Sequence, residues 1–249
     1  MIKRFKLHAA AASVALALGL AGGQAAAAPL ALELALLVDV SGSVDATEYN
    51  LQKNGYVLAF QSAAIQNAII ARGGIAVQYI EWSSANEQAV RVSWTVIDSA
   101  ATANAFATTL SGLNRAFNGA TAPGSAINFA VPLFNNGIDS DRQVIDVSGD
   151  GEQNDGANTA AARTAAINAG IDAINGLAIG GAGLLAWYQA NIVGGPTGFA
   201  LQADSFADFA STVETKIGRE INQVPEPGTL ALLGLAVAGF AAFRRRQAA

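Results

Sequence analysis

The sequence predicts a doubly wound α/β domain: a mostly parallel six-stranded sheet with one antiparallel edge strand and helices on both faces. Three observations carry this. Short apolar runs without alternation recur between helical stretches, as expected of strands buried on both faces. Two neighbouring runs lie too close together for a crossover helix and must pair as a hairpin. Between two terminal segments of different composition, Ala28 to Val224 is long enough for one domain with one large core.

Taken in order, Leu34–Val38 (LALLV) is the first strand. A helix follows from near Asp45, with Leu51, Leu58, Ile65 and Ile69 on one stripe and Gly73-Gly74 at its end. Ile75–Trp82 is the second strand and Val90–Val96 its antiparallel partner. Phe106, Leu110, Leu113 and Phe117 mark the next helical stripe, and a short helix over Ala126–Phe134 comes after Thr121. Strand Val144–Val147 leads to an Ala-rich helix from Thr159 to Ala169, and Leu177–Ile179 is the fifth strand. A short helix is expected around Leu185–Ile192, then a sixth strand over Gly198–Leu201. Phe206, Phe209, Val213, Ile217 and Ile221 mark the closing helix. No internal repeat stands out.

Composition removes several function classes. The chain is 52% hydrophobic and 13% charged, too apolar for disorder. Between Glu33 and Glu226 there are 8 basic residues against 19 acidic ones, a net charge of −11 that disfavours nucleic acid and anionic membrane surfaces as partners. The only histidine is His8 and there is no cysteine. His-based triads, Cys nucleophiles, disulfide scaffolds and His/Cys zinc sites are excluded together once the N-terminal end is removed. Any metal must be hard and held by oxygen.

The ends read as addresses. Residues 1–27 have a basic start, an apolar Ala/Leu/Val core and small residues before Pro29, the pattern of a secretory signal peptide cut near Ala27, with an N-terminal membrane anchor as the alternative. At the other end, Pro225-Glu226-Pro227 precedes an uncharged stretch, Thr229–Phe243, and then Arg244-Arg245-Arg246. The stretch is at the short limit for a membrane span, and the arginines would hold that end in the cytoplasm; a buried C-terminal helix is the bland alternative. Residues 225–249 closely resemble the PEP-CTERM sorting signal. The resemblance implies processing by an exosortase-type enzyme in a Gram-negative bacterium, transient membrane association, and a final place at the cell surface or outside the cell.

The chemistry sits at strand ends. The first strand runs into Asp39-Val40-Ser41-Gly42-Ser43, a carboxylate and two hydroxyls at alternate positions around a glycine turn. In an open α/β sheet the crevice beyond the strand C-termini is where ligands bind. Short oxygen side chains there suit Mg2+, with Mn2+ or Ca2+ as alternatives. Taken alone, the same residues also suit a turn and a helix N-cap. Two later segments add Thr121, in a loop entering a helix, and Asp150, just past a buried strand.

With those residues in place, the central domain resembles the von Willebrand factor A domain with its metal-ion-dependent adhesion site, whose pattern is Asp-x-Ser-x-Ser, a distant Thr and a distant Asp. The match here is Asp39, Ser41, Ser43, Thr121 and Asp150. The resemblance implies that the hydroxyls reach a divalent cation directly, that the aspartates often act through water, and that one coordination position is left for an acidic residue of a partner. Together with YIEWSS, VSWTVID and IVGGPTGF, the segment VIDVSGDG looks most like a bacterial subgroup of these domains of uncharacterised function. Two departures stand out. Gly149 occupies the place before Asp150 where the family usually has a hydroxyl residue, and Asp146 lies in a strand that should be buried. A buried carboxylate must be paired, so Asp146 is expected either near the site or at a strand end.

Other candidates have bland readings beside the functional one. Glu152, Asn154 and Asp155 form a polar loop, either solvated or tuning partner choice. Trp82, Trp94 and Trp187 suit packing more than a glycan or peptide surface. Ser148 has no base near it in sequence and no nucleophile elbow around it. The sequence thus points to an exported, non-enzymatic binding module that recognises an acidic group on an extracellular or surface protein through a divalent metal. The alternatives are a metal-stabilised matrix component and a two-aspartate hydrolase; the hydrolase would need a carboxylate where Ser41 stands and a lysine near the site.

Overall fold

The computed structural model describes residues 28–223. The expected signal segment and the C-terminal segment 225–249, with its apolar stretch 229–243, lie outside the described residues. The strands are β1 (Leu32–Asp39), β2 (Ile75–Trp82), β3 (Gln88–Ile97), β4 (Gln143–Gly149), β5 (Ala173–Ile179) and β6 (Ala200–Ala203). They form one sheet in the order β3-β2-β1-β4-β5-β6. All neighbours are parallel except β2 and β3, so β3 is the antiparallel edge strand expected from the short connection. The order turns outward in both directions from β1, which puts a crevice at the C-terminal ends of β1 and β4.

Alternation along β1 divides the core. Leu34, Leu36 and Val38 face α1 (Ala46–Gln61), α2 (Ala63–Ala71), α3 (Ala100–Ser111) and α7 (Phe209–Asn222). Ala35 and Leu37 face α4 (Pro123–Ala130), α5 (Thr159–Asn168) and α6 (Ala182–Asn191). Asp39 shares the parity of Ala35 and Leu37 and so belongs to the α4–α6 side. Among the described residues no helix is long and apolar enough to cross a membrane.

The first helical stripe differs from the expectation. Leu51 and Leu58 are exposed, at 40% and 57%, while Ile65 and Ile69 are buried. The helix breaks at Ser62, whose extended backbone ends α1 and whose hydroxyl accepts from Ala64 N to cap α2. The buried face of α1 is instead Tyr49, Gln52, Tyr56, Ala59 and Phe60. Its polar members reach partners inside the domain: Tyr49 Oη donates to Glu81 at 2.9 Å, Tyr56 Oη to Ser148 Oγ at 3.1 Å, and Gln52 Nε2 to the Asp39 carbonyl at 2.8 Å. Seven-residue spacing of leucines selected the wrong face because half-polar side chains fill the right one.

Smaller differences have local causes. α3 ends at Ser111, and Leu113 and Phe117 pack against the core from the following loop. The expected Ala126–Phe134 helix divides into α4 and a 3-10 turn, Val131–Phe134; Pro132 has no N–H to continue the α pattern. Asp146 is neither at the crevice nor at a strand end. It lies within β4, fully buried, in an ion pair with Lys216 of α7. Lys216 also pairs with Glu220 at 2.7 Å, and Asn175 Nδ2 donates to the same carboxylate at 2.8 Å. Burial alone would push the Lys216 ammonium down, but the Asp146 and Glu220 carboxylates outweigh it and hold it above its ordinary value. The tryptophans are packing residues: Trp82 is fully buried, and Trp94 and Trp187 are partly buried against the α4–α6 core.

Candidate metal centre

Three loops converge beyond the ends of β1 and β4. The first turns sharply at Asp39, whose Oδ1 accepts from Ser41 N at 2.7 Å, while Val44 N returns to Ser41 O at 3.0 Å. Asp45 then caps α1, accepting from Thr47 N and Glu48 N, so the cap is a separate residue and leaves Ser41 and Ser43 free of that duty. The second loop brings Thr121 in front of α4, which Pro123 starts. It is tied to the first by Gly42 N to Gly119 O at 2.7 Å. The third begins at Gly149, where β4 ends, and carries Asp150.

All five candidate residues meet in this crevice. Ser43 Oγ donates to Asp150 Oδ1 at 2.7 Å, Ser41 Oγ lies 3.2 Å from Ser43 Oγ, and Thr121 Oγ1 is 3.4 Å from Ser41 Oγ. Asp39 and Ser41 are fully buried, Thr121 nearly so, and Ser43 is open to solvent. Asp39 Oδ2 is buried without a hydrogen-bond partner. Burial pushes the Asp39 carboxyl up to about 7; the Ser41 backbone and side-chain bonds only partly offset it, and Asp150 adds repulsion. Burial likewise pushes Asp150 upward against the Ser43 bond.

Ser148 lies on the opposite face, beneath Tyr56, and does not enter the crevice. Asn154 and Asp155 do more than the solvated-loop reading allowed. Thr121 N donates to Asn154 Oδ1 at 2.8 Å, Asn154 N donates back to Thr121 O at 3.0 Å, and Asp155 Oδ2 accepts from Ala85 N at 2.8 Å. They fix the threonine loop against the aspartate loop.

Arg115 was not singled out by sequence; its only signal was a scarce basic residue in the segment leading to Thr121. Its guanidinium donates to the carbonyls of Val40 and Ser41 and to Asn118 Oδ1. It clamps the backbone of the first loop while forming no ion pair with Asp39 or Asp150. The crevice therefore holds two carboxylates and three hydroxyls, with one buried carboxylate oxygen unmet. That donor set fits a hard dication. Among the described residues no group of three or more His, Cys, Asp or Glu side chains is placed to hold a metal, so a site here depends on its hydroxyls.

The chain belongs to the family described as "Protein of unknown function (DUF1194)", which matches residues 29–225, and a PEP-CTERM protein-sorting motif matches residues 223–246. Its fold is similar to that of proximal thread matrix protein 1 from the mussel byssus, with TM-score 0.59 and 11% identity over 78% of this chain and 48% of that one. A further structure of the mussel protein, described "with zinc occupied MIDAS motif", has TM-score 0.56 and 14% identity over 78% of this chain and 49% of the other. A von Willebrand factor type A structure from Catenulispora acidiphila has TM-score 0.54 and 16% identity, covering 76% and 42%. The chain thus spans less than half the length of each, and the likeness is one of fold: a von Willebrand factor A domain. No curated protein matches the sequence.

Proposed function

We propose that this protein is an exported, surface-retained binding module that uses a divalent cation to recognise an acidic group on an extracellular or surface partner. The observation that carries the reading is the convergence of Asp39, Ser41, Ser43, Thr121 and Asp150 around a buried carboxylate oxygen with no partner. These residues would hold a Mg2+ ion, with Mn2+ or Ca2+ as alternatives. The two carboxylates balance its charge, and the hydroxyls leave it Lewis-acidic enough to attract a carboxylate from outside. With a net charge of −11 between Glu33 and Glu226, the domain repels an acidic partner at long range, so the attraction has to be local. The PEP-CTERM motif supports export and processing by an exosortase-type enzyme.

Hydrolysis is poorly supported. Lys53 donates to the Ser111 and Leu113 carbonyls and Lys216 is buried against Asp146, so neither lysine is available to a phosphate in the crevice. A second reading, a matrix component in which the metal only stabilises the fold, draws on the likeness to a thread matrix protein. Immobilising the full protein and exposing it to the extracellular fraction of its host separates the two. A metal-dependent binder retains its partner in Mg2+, releases it in EDTA, and binds it weakly as Thr121→Ala. Equal retention in all three conditions would assign the domain to the structural reading.

A further inference from the structure

The α6 side of the crevice holds a second buried polar atom that the five-residue pattern does not use. Tyr188 is fully buried, and its hydroxyl has no hydrogen-bond partner. A phenol O–H kept from water without a partner is costly, and such a group in a folded interior calls for an explanation. Two glycines show where the side chain goes. A Cβ on Gly176 of β5 would lie 2.7 Å from Tyr188 Cδ1, so the ring crosses β5 where no side chain stands. A Cβ on Gly149 of β4 would lie 2.8 Å from Tyr188 Oη and 2.6 Å from Asp39 Oδ2. The two glycines thus open a slot along the α4–α6 face of the sheet. It leads the phenol across two strands toward the carboxylate at the end of β1.

An unmet donor and an unmet acceptor therefore face the same small gap, no farther apart than the sum of those two distances. Gly149 is also the position where the resemblance calls for a hydroxyl residue. The slot fits a substitution of one hydroxyl source for another: a side chain at 149 is given up, and a hydroxyl arrives from α6. Burial, reinforced by the neighbouring Asp39 and Asp150 charges, keeps the Tyr188 phenol well above its ordinary pKa, so it remains a donor.

We propose that Tyr188 is a positioning residue of the candidate metal site, its phenol O–H placed to donate to Asp39 Oδ2 once a divalent cation is bound and so to orient that carboxylate toward the ion. The inference rests on the metal-binding reading above and adds to it a residue outside the five. Hydrogen-bond partners of metal-ligating groups typically govern affinity by about 10- to 100-fold.

Tyr188→Phe removes the hydroxyl and leaves the ring in its slot. Mg2+ titrations of wild-type and Tyr188→Phe protein by calorimetry, with melting curves of both in EDTA, test the role. The expected result is a Kd raised roughly tenfold in the variant, with melting in EDTA unchanged, because the hydroxyl has no partner to lose in the metal-free fold. Equal Kd values would overturn the proposal while leaving the metal site standing. A variant that melts far below wild type in EDTA would overturn it too, by showing that the hydroxyl serves the fold. Wild-type protein that binds no Mg2+ would remove the metal reading itself, and this inference with it.

Discussion

Two groups of buried carboxylates lie on opposite faces of the same sheet, and they are solved in opposite ways. On the α7 face, Asp146 and Glu220 share the ammonium of Lys216. On the α6 face, Asp39 is just as buried and has Asp150 nearby, yet the nearest guanidinium, Arg115, is spent on backbone carbonyls. Some oxygens lack donors in both groups: Asp146 Oδ2 and Glu220 Oε2 on one side, Asp39 Oδ2 on the other. The difference is charge. The first cluster carries its own cation within the chain. In the second, Arg115 makes no ion pair with Asp39, so a counterion has to come from solvent; burial raises both Asp39 and Asp146 to about 7. A buried acid with its counterion built in is part of the fold; one without it is a site.

The largest test breaks the first cluster. Lys216→Met leaves two buried carboxylates without a countercharge and should cost about 3–5 kcal/mol in urea denaturation. The loss should be the same in EDTA and in Mg2+, since this cluster takes no part in metal binding; a loss seen only in Mg2+ would merge the two regions. The matching change in the crevice has the opposite sign. Asp39→Asn keeps an acceptor for Ser41 N and removes the charge, so stability in EDTA should hold or rise slightly. What should vanish is the metal-dependent increment, about 2.7 kcal/mol at a hundredfold excess of Mg2+ over Kd, read as a shift in melting temperature.

pH reads the crevice apart from the cluster only through the Asp39→Asn change, because burial raises Asp146 to about 7 as well. The folded chain keeps Asp39 protonated to about 7, whereas an ordinary aspartate loses its proton near 3.8. Between those values the metal-free fold binds the extra proton. The stability from this group is therefore fully present below about 3.8 and is lost as pH rises through about 7. Asp39→Asn should flatten that decline. Metal binding runs the other way, since proton and cation compete for Asp39: apparent affinity should fall by up to about tenfold per pH unit below 7. The smallest effect belongs to Arg115→Met, which frees the first loop from its clamp. Loss of bonds worth roughly 1 kcal/mol should weaken Mg2+ binding several-fold and lower the melting temperature in EDTA by only about 2–4 °C.

The sheet was legible because buried strands write themselves as apolar runs, and the hairpin because Trp82 and Val90 are too close in sequence for a crossover. The crevice residues were legible because Asp39, Ser41 and Ser43 are local and because Thr121 and Asp150 each sit at a recognisable strand or helix boundary. What stayed hidden is long-range and half-polar. Leu51 and Leu58 looked like the core face of α1, yet Tyr49, Gln52 and Tyr56 occupy it by bonding partners in distant strands and at the β1 end. Nothing in the spacing ties Lys216 to Asp146, or Tyr188 to Asp39. Those residues come near each other only because β4 lies between β1 and β5, with α7 over one face and α6 over the other.

The central claim is that the uncompensated crevice takes a cation from solution while the compensated cluster does not. Calorimetric titration of Mg2+ into the chelator-stripped full protein at pH 7.5 tests it most directly, with Asp39→Asn/Asp150→Asn and Lys216→Met protein alongside. The expected result is one ion per chain in wild type, one in folded Lys216→Met, and none in the double aspartate variant. Binding by the double variant with wild-type stoichiometry and affinity would contradict it.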